Sequence, residues 1–297
     1  MSRTLALLTP WIIAGCAVDG DSIANTDEAR ISPNGTSLNG VALTGRPGVT
    51  LTGVAPAGVA ANGIAIRMMT NSAPLSGKAF IGSKWTGHLS DGANVALRVD
   101  AAVQVASSDV WSYRVSALVG SAWRPLCVDA AGNPGFADSV SGTWNYAEGV
   151  VGGGAYHPDS NDFTLACRGS AVAKCVELGY KPWTGDAQEL AACTRAIRAD
   201  FCGDGTSFTV DGTTINIYDV AGIVPDGVGW QAEAEWTAEG ASCVSGLQST
   251  RFWQTGHETP SCFGHTVKAK RACGRGELGA LITELPPPST ISKLPTR

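Results

Sequence analysis

The stretch that decides the fold reads Asp186-Ala187-Gln188-Glu189-Leu190-Ala191-Ala192-Cys193-Thr194-Arg195-Ala196-Ile197-Arg198-Ala199-Asp200-Phe201-Cys202-Gly203. Asp186 and Glu189 stand three apart, the spacing with which a helix start meets its unpaired amides. Leu190, Cys193, Ile197 and Phe201 follow at the helical period, which predicts one inward face, with Gly203 as the stop. Upstream, Ser170 reads as the cap of a shorter helix through Leu178, closed by Gly179, and Pro182 marks the gap between the two. Cys175 and Cys193 then both point inward. A bridge between these helices is the first disulfide pairing expected.

On either side of the helices the pattern is that of strands. Phe80 to His88 and Asn94 to Asp100 flank Leu89-Ser90-Asp91-Gly92, where Asp-Gly supplies the positive φ angles of a tight hairpin turn. Trp111 to Val119, Trp123 to Val128, Gly142 to Tyr146 and Phe163 to Cys167 continue the series as an antiparallel sheet or barrel. After the helices, Thr206 to Val210 and Thr213 to Asp219 read as a hairpin across Asp211-Gly212, and Trp230 to Trp236 as a further strand. The fold class is therefore α+β: a β-rich, disulfide-stabilised domain with two short central helices. A Gly-rich segment precedes it.

In that segment, residues 35–67, glycines recur every five positions at 35, 40 and 45, and again at 48, 53, 58 and 63. Leu38, Leu43, Leu51, Pro56 and Ala61 stand two residues before the next glycine. The spacing is similar to that of pentapeptide-repeat β-solenoids; the alternative is an extended stretch packed on the body. Residues 16–34 are small and polar and read as a tether, 78–275 as the body, and 276–297, with Pro286-Pro287-Pro288, as a loose tail.

The beginning of the chain reads as an export signal over residues 1–15. Arg3 gives a positive start, and Thr4 to Ile13 an apolar run too short to span a bilayer. It leads into Ile13-Ala14-Gly15-Cys16, which resembles the lipobox of bacterial lipoproteins. Cys16 is then the acylated residue, with palmitate among its acyl chains, and the membrane is the partner reached through that anchor. Ala17 behind it, in place of an acidic residue, points to the outer membrane. The chain has nine cysteines, and setting Cys16 aside leaves Cys127, Cys167, Cys175, Cys193, Cys202, Cys243, Cys262 and Cys273. An even number in an oxidising compartment reads as four disulfides. No C-x-x-C knuckle is present, which argues against zinc. Asp200, Asp204, Asp211 and Asp219 could offer oxygens to Ca²⁺, but capping and turns are the commoner use of such aspartates, so no metal site is expected. A formal charge of −5, with scattered Lys and Arg, argues against nucleic-acid binding.

Ala199-Asp200-Phe201-Cys202-Gly203-Asp204-Gly205, with the helix before it, resembles the signature of the ADYC-domain family of bacterial exported proteins and lipoproteins. Cys167-Arg168-Gly169 to Lys174-Cys175, Gly179-Tyr180-Lys181-Pro182-Trp183 and Asp211-Gly212-Thr213 to Tyr218-Asp219 extend the likeness over 78–275, most specifically over 165–220. The resemblance implies a secreted or lipid-anchored domain and carries over no catalytic residues. The signature tyrosine is Phe201 here, which keeps the aromatic ring and lacks the hydroxyl.

No G-x-S-x-G, H-E-x-x-H or G-x-x-x-x-G-K-[ST] motif occurs, and Gly203-Asp204-Gly205 is turn chemistry rather than a dinucleotide loop. No catalytic residue and no cofactor is expected. The leading expectation is a non-catalytic cell-envelope lipoprotein, displaying a binding or structural module for a protein or glycan ligand. One alternative is an envelope hydrolase acting on polysaccharide or peptidoglycan through Asp200, Asp204, Asp211 and Asp219. Another is a glycan-binding module, which predicts a row of exposed indoles among the nine tryptophans, although Trp85, Trp111, Trp123, Trp144 and Trp236 sit in strand-like settings where core packing is the default. His88, His157, His257 and His265 are the remaining candidate bases, and His257-Glu258 with His265 matches no metal spacing.

Overall fold

The computed structural model describes residues 31–33, 36–41, 43, 48–56, 68–69, 74–75, 77–105, 108–129, 131–158, 162–270 and 273–287. In chain order the elements begin with β1 (Ile31–Pro33), β2 (Leu51–Pro56), β3 (Met68–Met69), β4 (Pro74–Leu75), β5 (Lys84–Leu89), β6 (Asn94–Gln104), β7 (Trp111–Val119) and β8 (Ala122–Pro125). They continue with β9 (Ala137–Ser141), β10 (Thr143–Trp144), β11 (Tyr156–His157), β12 (Phe163–Cys167), α1 (Ala171–Glu177) and α2 (Ala187–Arg198). The last are β13 (Thr214–Asp219), β14 (Gln231–Thr237), β15 (Gly240–Val244), α3 (Arg251–Gln254) and β16 (Leu281–Leu285).

Six antiparallel strands close a barrel in the order β6-β5-β2-β12-β9-β7, with β7 pairing back onto β6 and β8 extending from β7. Period-2 alternation fills it. Trp85 and Leu89 of β5, and Val95, Leu97 and Val99 of β6, point inward between exposed or half-buried neighbours. Trp85 meets Phe80, Tyr113 and Phe163 edge to face at 5.4–5.8 Å, the arrangement favoured by ring quadrupoles. β9 and β12 are buried on both faces. Phe163 and Leu165 face the barrel core, whereas Val140 and Ala166 join the cluster around Val172 and Val176 of α1.

The second sheet is antiparallel in the order β1-β13-β16-β14-β15. α2 lies across its β14, β15 and β16 strands, and α1 lies against β9 and β12, so the helix pair stands between barrel and sheet. All eight cysteines after Cys16 are bridged: Cys127–Cys167, Cys175–Cys193, Cys202–Cys262 and Cys243–Cys273. Cys175–Cys193 is the helix-to-helix bridge that the inward face anticipates.

The helix starts depart from the expected caps. Neither Ser170 nor Asp186 makes a side-chain cap bond. The first amides of α1 instead donate to the carbonyls of Ser37 and Leu38, both at 3.1 Å. A segment far upstream does the work of a cap.

Three sequence expectations need correction, and the Gly-rich segment, left open between two readings, is placed in part. The stretch 276–297 is not all loose tail: Leu281–Leu285 is fully buried and pairs with both β13 and β14. The tether 16–34 contributes Ile31–Pro33 to the edge of that sheet. Of the Gly-rich segment, Leu51–Pro56 is a barrel strand between β5 and β12, which agrees with packing on the body; the remaining repeats lie largely outside the described residues. Finally, Thr206 to Val210 forms no strand, because β13 takes β1 and β16 as neighbours, and a sheet partner distant in sequence displaces the local hairpin. Residues 1–15 and Cys16 lie outside the described residues.

Candidate functional site

α2 ends four residues before Gly203, at Ala199, which takes the left-handed conformation with φ +54°. Ala199 is the one described non-glycine residue with positive φ. For alanine that conformation costs about 1–2 kcal/mol. The turn that follows is held by its side chains: Asp200 folds back onto Arg195 as a fully buried ion pair. The Asp200 carboxylate also accepts the amides of Asp204 at 3.2 Å and Gly205 at 2.9 Å, so the signature loop winds around it. Arg195 Nε reaches the Ala238 carbonyl at 3.1 Å, and its Nη1 reaches that of Gly153 at 2.5 Å. One guanidinium thus ties α2, the signature loop, the Gly152–Gly154 run and the β14–β15 turn. Burial raises the Asp200 pKa, and Arg195, Arg198 and the Gly205 amide pull against it.

Two glycines make this closeness possible. A Cβ on Gly203 would stand 1.8 Å from the Glu239 carbonyl oxygen, and one on Gly153 would stand 2.1 Å from that of Asp204. Phe201, directly after the loop's aspartate, is buried against Trp236, Phe252 and Phe263 at 5.0, 5.5 and 5.4 Å. Its role is that of an aromatic anchor.

Beside this knot opens a cleft of about 630 Å³. Its walls are Gly152, Ala155, Tyr156 and Pro158 on one side, Gln188, Ala191 and Arg195 of α2 on another, and Cys202–Asp204, Glu239, Ser261 and Cys262 on the third. The volume falls in the range of small-molecule sites, and the lining mixes apolar surface with a few polar groups.

The four aspartates proposed as acids or bases are all committed to backbone amides. Asp204 accepts Thr206 N at 2.9 Å, and Asp211 accepts Thr36 N at 2.7 Å. Asp219 accepts Ile223 N at 3.0 Å, Val224 N at 2.6 Å and the buried Tyr180 hydroxyl at 3.0 Å. Of the indoles, Trp85, Trp144 and Trp236 are buried and Trp111 and Trp123 half-buried, with Arg98 stacked over Trp123 at 4.6 Å. Trp253 alone is exposed among the described tryptophans. His257 Nδ1 lies 2.7 Å from Thr255 Oγ1, and His88 Nδ1 lies 2.9 Å from Asp162 Oδ2.

Of the buried acids missed in the sequence, which include Asp138 and Glu284, two lie on β14. Glu233 lies in a fully buried pair with Arg251, and Glu235 accepts the amides of Gly274, Arg275, Gly276 and Leu278 at 2.6–3.1 Å. The Gln231-Ala232-Glu233-Ala234-Glu235-Trp236 alternation was their one visible signal, and it resembles a solvent-facing edge. Glu235 lies close to the sulfurs of Cys243 and Cys273, but those sulfurs are bonded to each other and the carboxylate is already filled by amides. That cluster does not fit a metal.

A six-stranded barrel, a bridged helix pair and a five-stranded sheet, with a buried Arg–Asp knot tying α2 to the β14–β15 turn, define a disulfide-stapled α+β domain. The chain belongs to the ADYC-domain family, whose model matches residues 77–250. That span stops short of both β2 and β16, so the folded unit is larger than the matched segment. No curated protein and no solved structure matches the chain.

Proposed function

We propose that the protein is a non-catalytic cell-envelope lipoprotein, anchored through Cys16 in the outer membrane and presenting the cleft beside the signature loop to a protein or glycan ligand. The observation that carries the binding reading is the cleft itself, whose three walls are fixed by the Arg195–Asp200 pair and the Cys202–Cys262 bridge. Preorganised walls lower the ordering cost of binding. The aspartates that a hydrolase would use are consumed as amide acceptors, which favours recognition over catalysis.

A thermal-shift screen of the unreduced protein against oligosaccharide and peptide panels tests this. A binding ligand raises the melting temperature, and Ala191→Trp, which places an indole in the cleft, removes that rise. A rise that survives Ala191→Trp places the ligand elsewhere. The anchor is tested apart, by intact mass of the membrane-extracted protein: an unmodified Cys16, or a chain starting elsewhere, ends the lipoprotein reading.

A further inference from the structure

Three of the four bridges are sealed in the body: Cys127, Cys167, Cys175, Cys193, Cys243 and Cys273 are all buried. Cys202 and Cys262 are half-buried, and both line the cleft. Thiol–disulfide exchange requires a thiolate to reach a disulfide sulfur, so access decides which bridge reacts. We propose that Cys202–Cys262 is a thiol–disulfide exchange site, reached through the cleft by a dithiol and opened while the rest of the protein stays folded. The proposal does not depend on what else the cleft binds.

The surroundings assign a direction to the exchange. The backbone N–H of Cys262 donates to Cys202 Sγ at 3.4 Å, so charge developing on the Cys202 sulfur meets a donor already in place. The attacking thiolate therefore bonds to Cys262 Sγ as the sulfur–sulfur bond breaks, and Cys202 leaves as the thiolate. The second thiol of the reductant, as its thiolate, then displaces Cys262 from the mixed disulfide. The dithiol ends as a disulfide, and its two electrons and two protons reside on the two cysteines. Opening removes the covalent tie between the signature loop and the turn that carries Ser261 and Cys262, leaving Phe263 held on Phe201 and Phe252 by ring contacts. The cleft loses one cross-linked wall while three bridges remain.

Unreduced protein in native buffer, exposed to dithiothreitol for increasing times, alkylated and mapped by peptide mass spectrometry, tests the assignment. Cys202 and Cys262 are expected to be labelled at least about tenfold faster than the six buried cysteines, with the near-ultraviolet dichroism of the folded state retained. Another bridge opening as fast, or no labelling until that dichroism is lost, overturns the proposal. Glutathione, a monothiol, should leave its adduct on Cys262; an adduct on Cys202 overturns the direction. In Cys202→Ser/Cys262→Ser the rapid labelling phase should vanish, and its persistence would place the labile bridge elsewhere.

Discussion

Arg251 Nε lies 3.1 and 3.0 Å from the two carboxylate oxygens of Glu233, and neither side chain has any exposed surface. The rest of the pair is also satisfied. Glu233 accepts the Arg251 amide at 2.7 Å and the Thr283 hydroxyl at 2.8 Å, while the guanidinium donates to the Ala196 and Ile197 carbonyls at 2.6 and 3.3 Å. Arg251 therefore caps the C-terminus of α2 from α3, where a cation also meets the negative end of the helix dipole.

Breaking this pair from one side should be costly. Glu233→Gln strands a buried guanidinium, and Arg251→Met strands a buried carboxylate; each is expected to lose about 3–5 kcal/mol in urea unfolding. The double variant should lose clearly less than the sum of the two. Additive losses would show that the two groups do not act as a unit.

Asp138 supplies the pH dependence. It is buried in β9 with the Ser112 hydroxyl donating to it, and burial, aided by the neighbouring Glu177 carboxylate, pushes its pKa up from 3.8 to about 7. The folded state thus holds a proton that the unfolded chain has released. Its stabilising contribution is complete below about pH 4 and is lost as pH rises through 7, with a slope of at most about 1.4 kcal/mol per pH unit. Melting temperatures from pH 4 to pH 8 should fall less steeply in Asp138→Asn. An identical slope in the variant would assign the dependence to other carboxyls.

The left-handed end of α2 should discriminate by side-chain shape. Ala199→Gly removes a strained conformation and a small buried methyl together, so stability should change by less than about 1 kcal/mol. Ala199→Val adds β-branching at φ +54° and should cost more than about 2 kcal/mol. Equal effects in denaturant titrations would show that the turn adapts its backbone.

Gly203→Ala forces a Cβ against the Glu239 carbonyl and should deform the cleft wall more than the core. Expected is a melting temperature lowered by several degrees together with loss of the ligand-induced rise. A variant with both intact would mean the loop and the β14–β15 turn can part freely.

Removing Cys175–Cys193 by paired substitution to alanine should cost about 3 kcal/mol, since the unfolded chain loses a closed loop between the two helices. Calorimetry of the double variant checks the figure. An unchanged melting temperature would mean that packing alone fixes the helix pair.

The sequence by itself determined what depends on near neighbours. The alternation along β5 and β6, the helical period of Leu190, Cys193 and Ile197, and the even cysteine count are local or compositional. Barrel strands β5, β6, β7 and β12, both central helices and one bridge were legible, whereas barrel strands β2 and β9 were not. Where a residue's partner lies far along the chain, only the tertiary structure decided. Leu281–Leu285 looked like part of a tail because nothing beside it in sequence shows β13 and β14 closing over it. Asp200 read as a candidate acid or base, and Glu233 was not singled out, because the arginines and amides that satisfy them become their neighbours only when loops and strands pack. The signature was legible as a string of residues. The knot it ties around Asp200, and the cleft beside it, exist only once three separate segments meet at Arg195 in a site dry enough to make every unpaired polar atom costly.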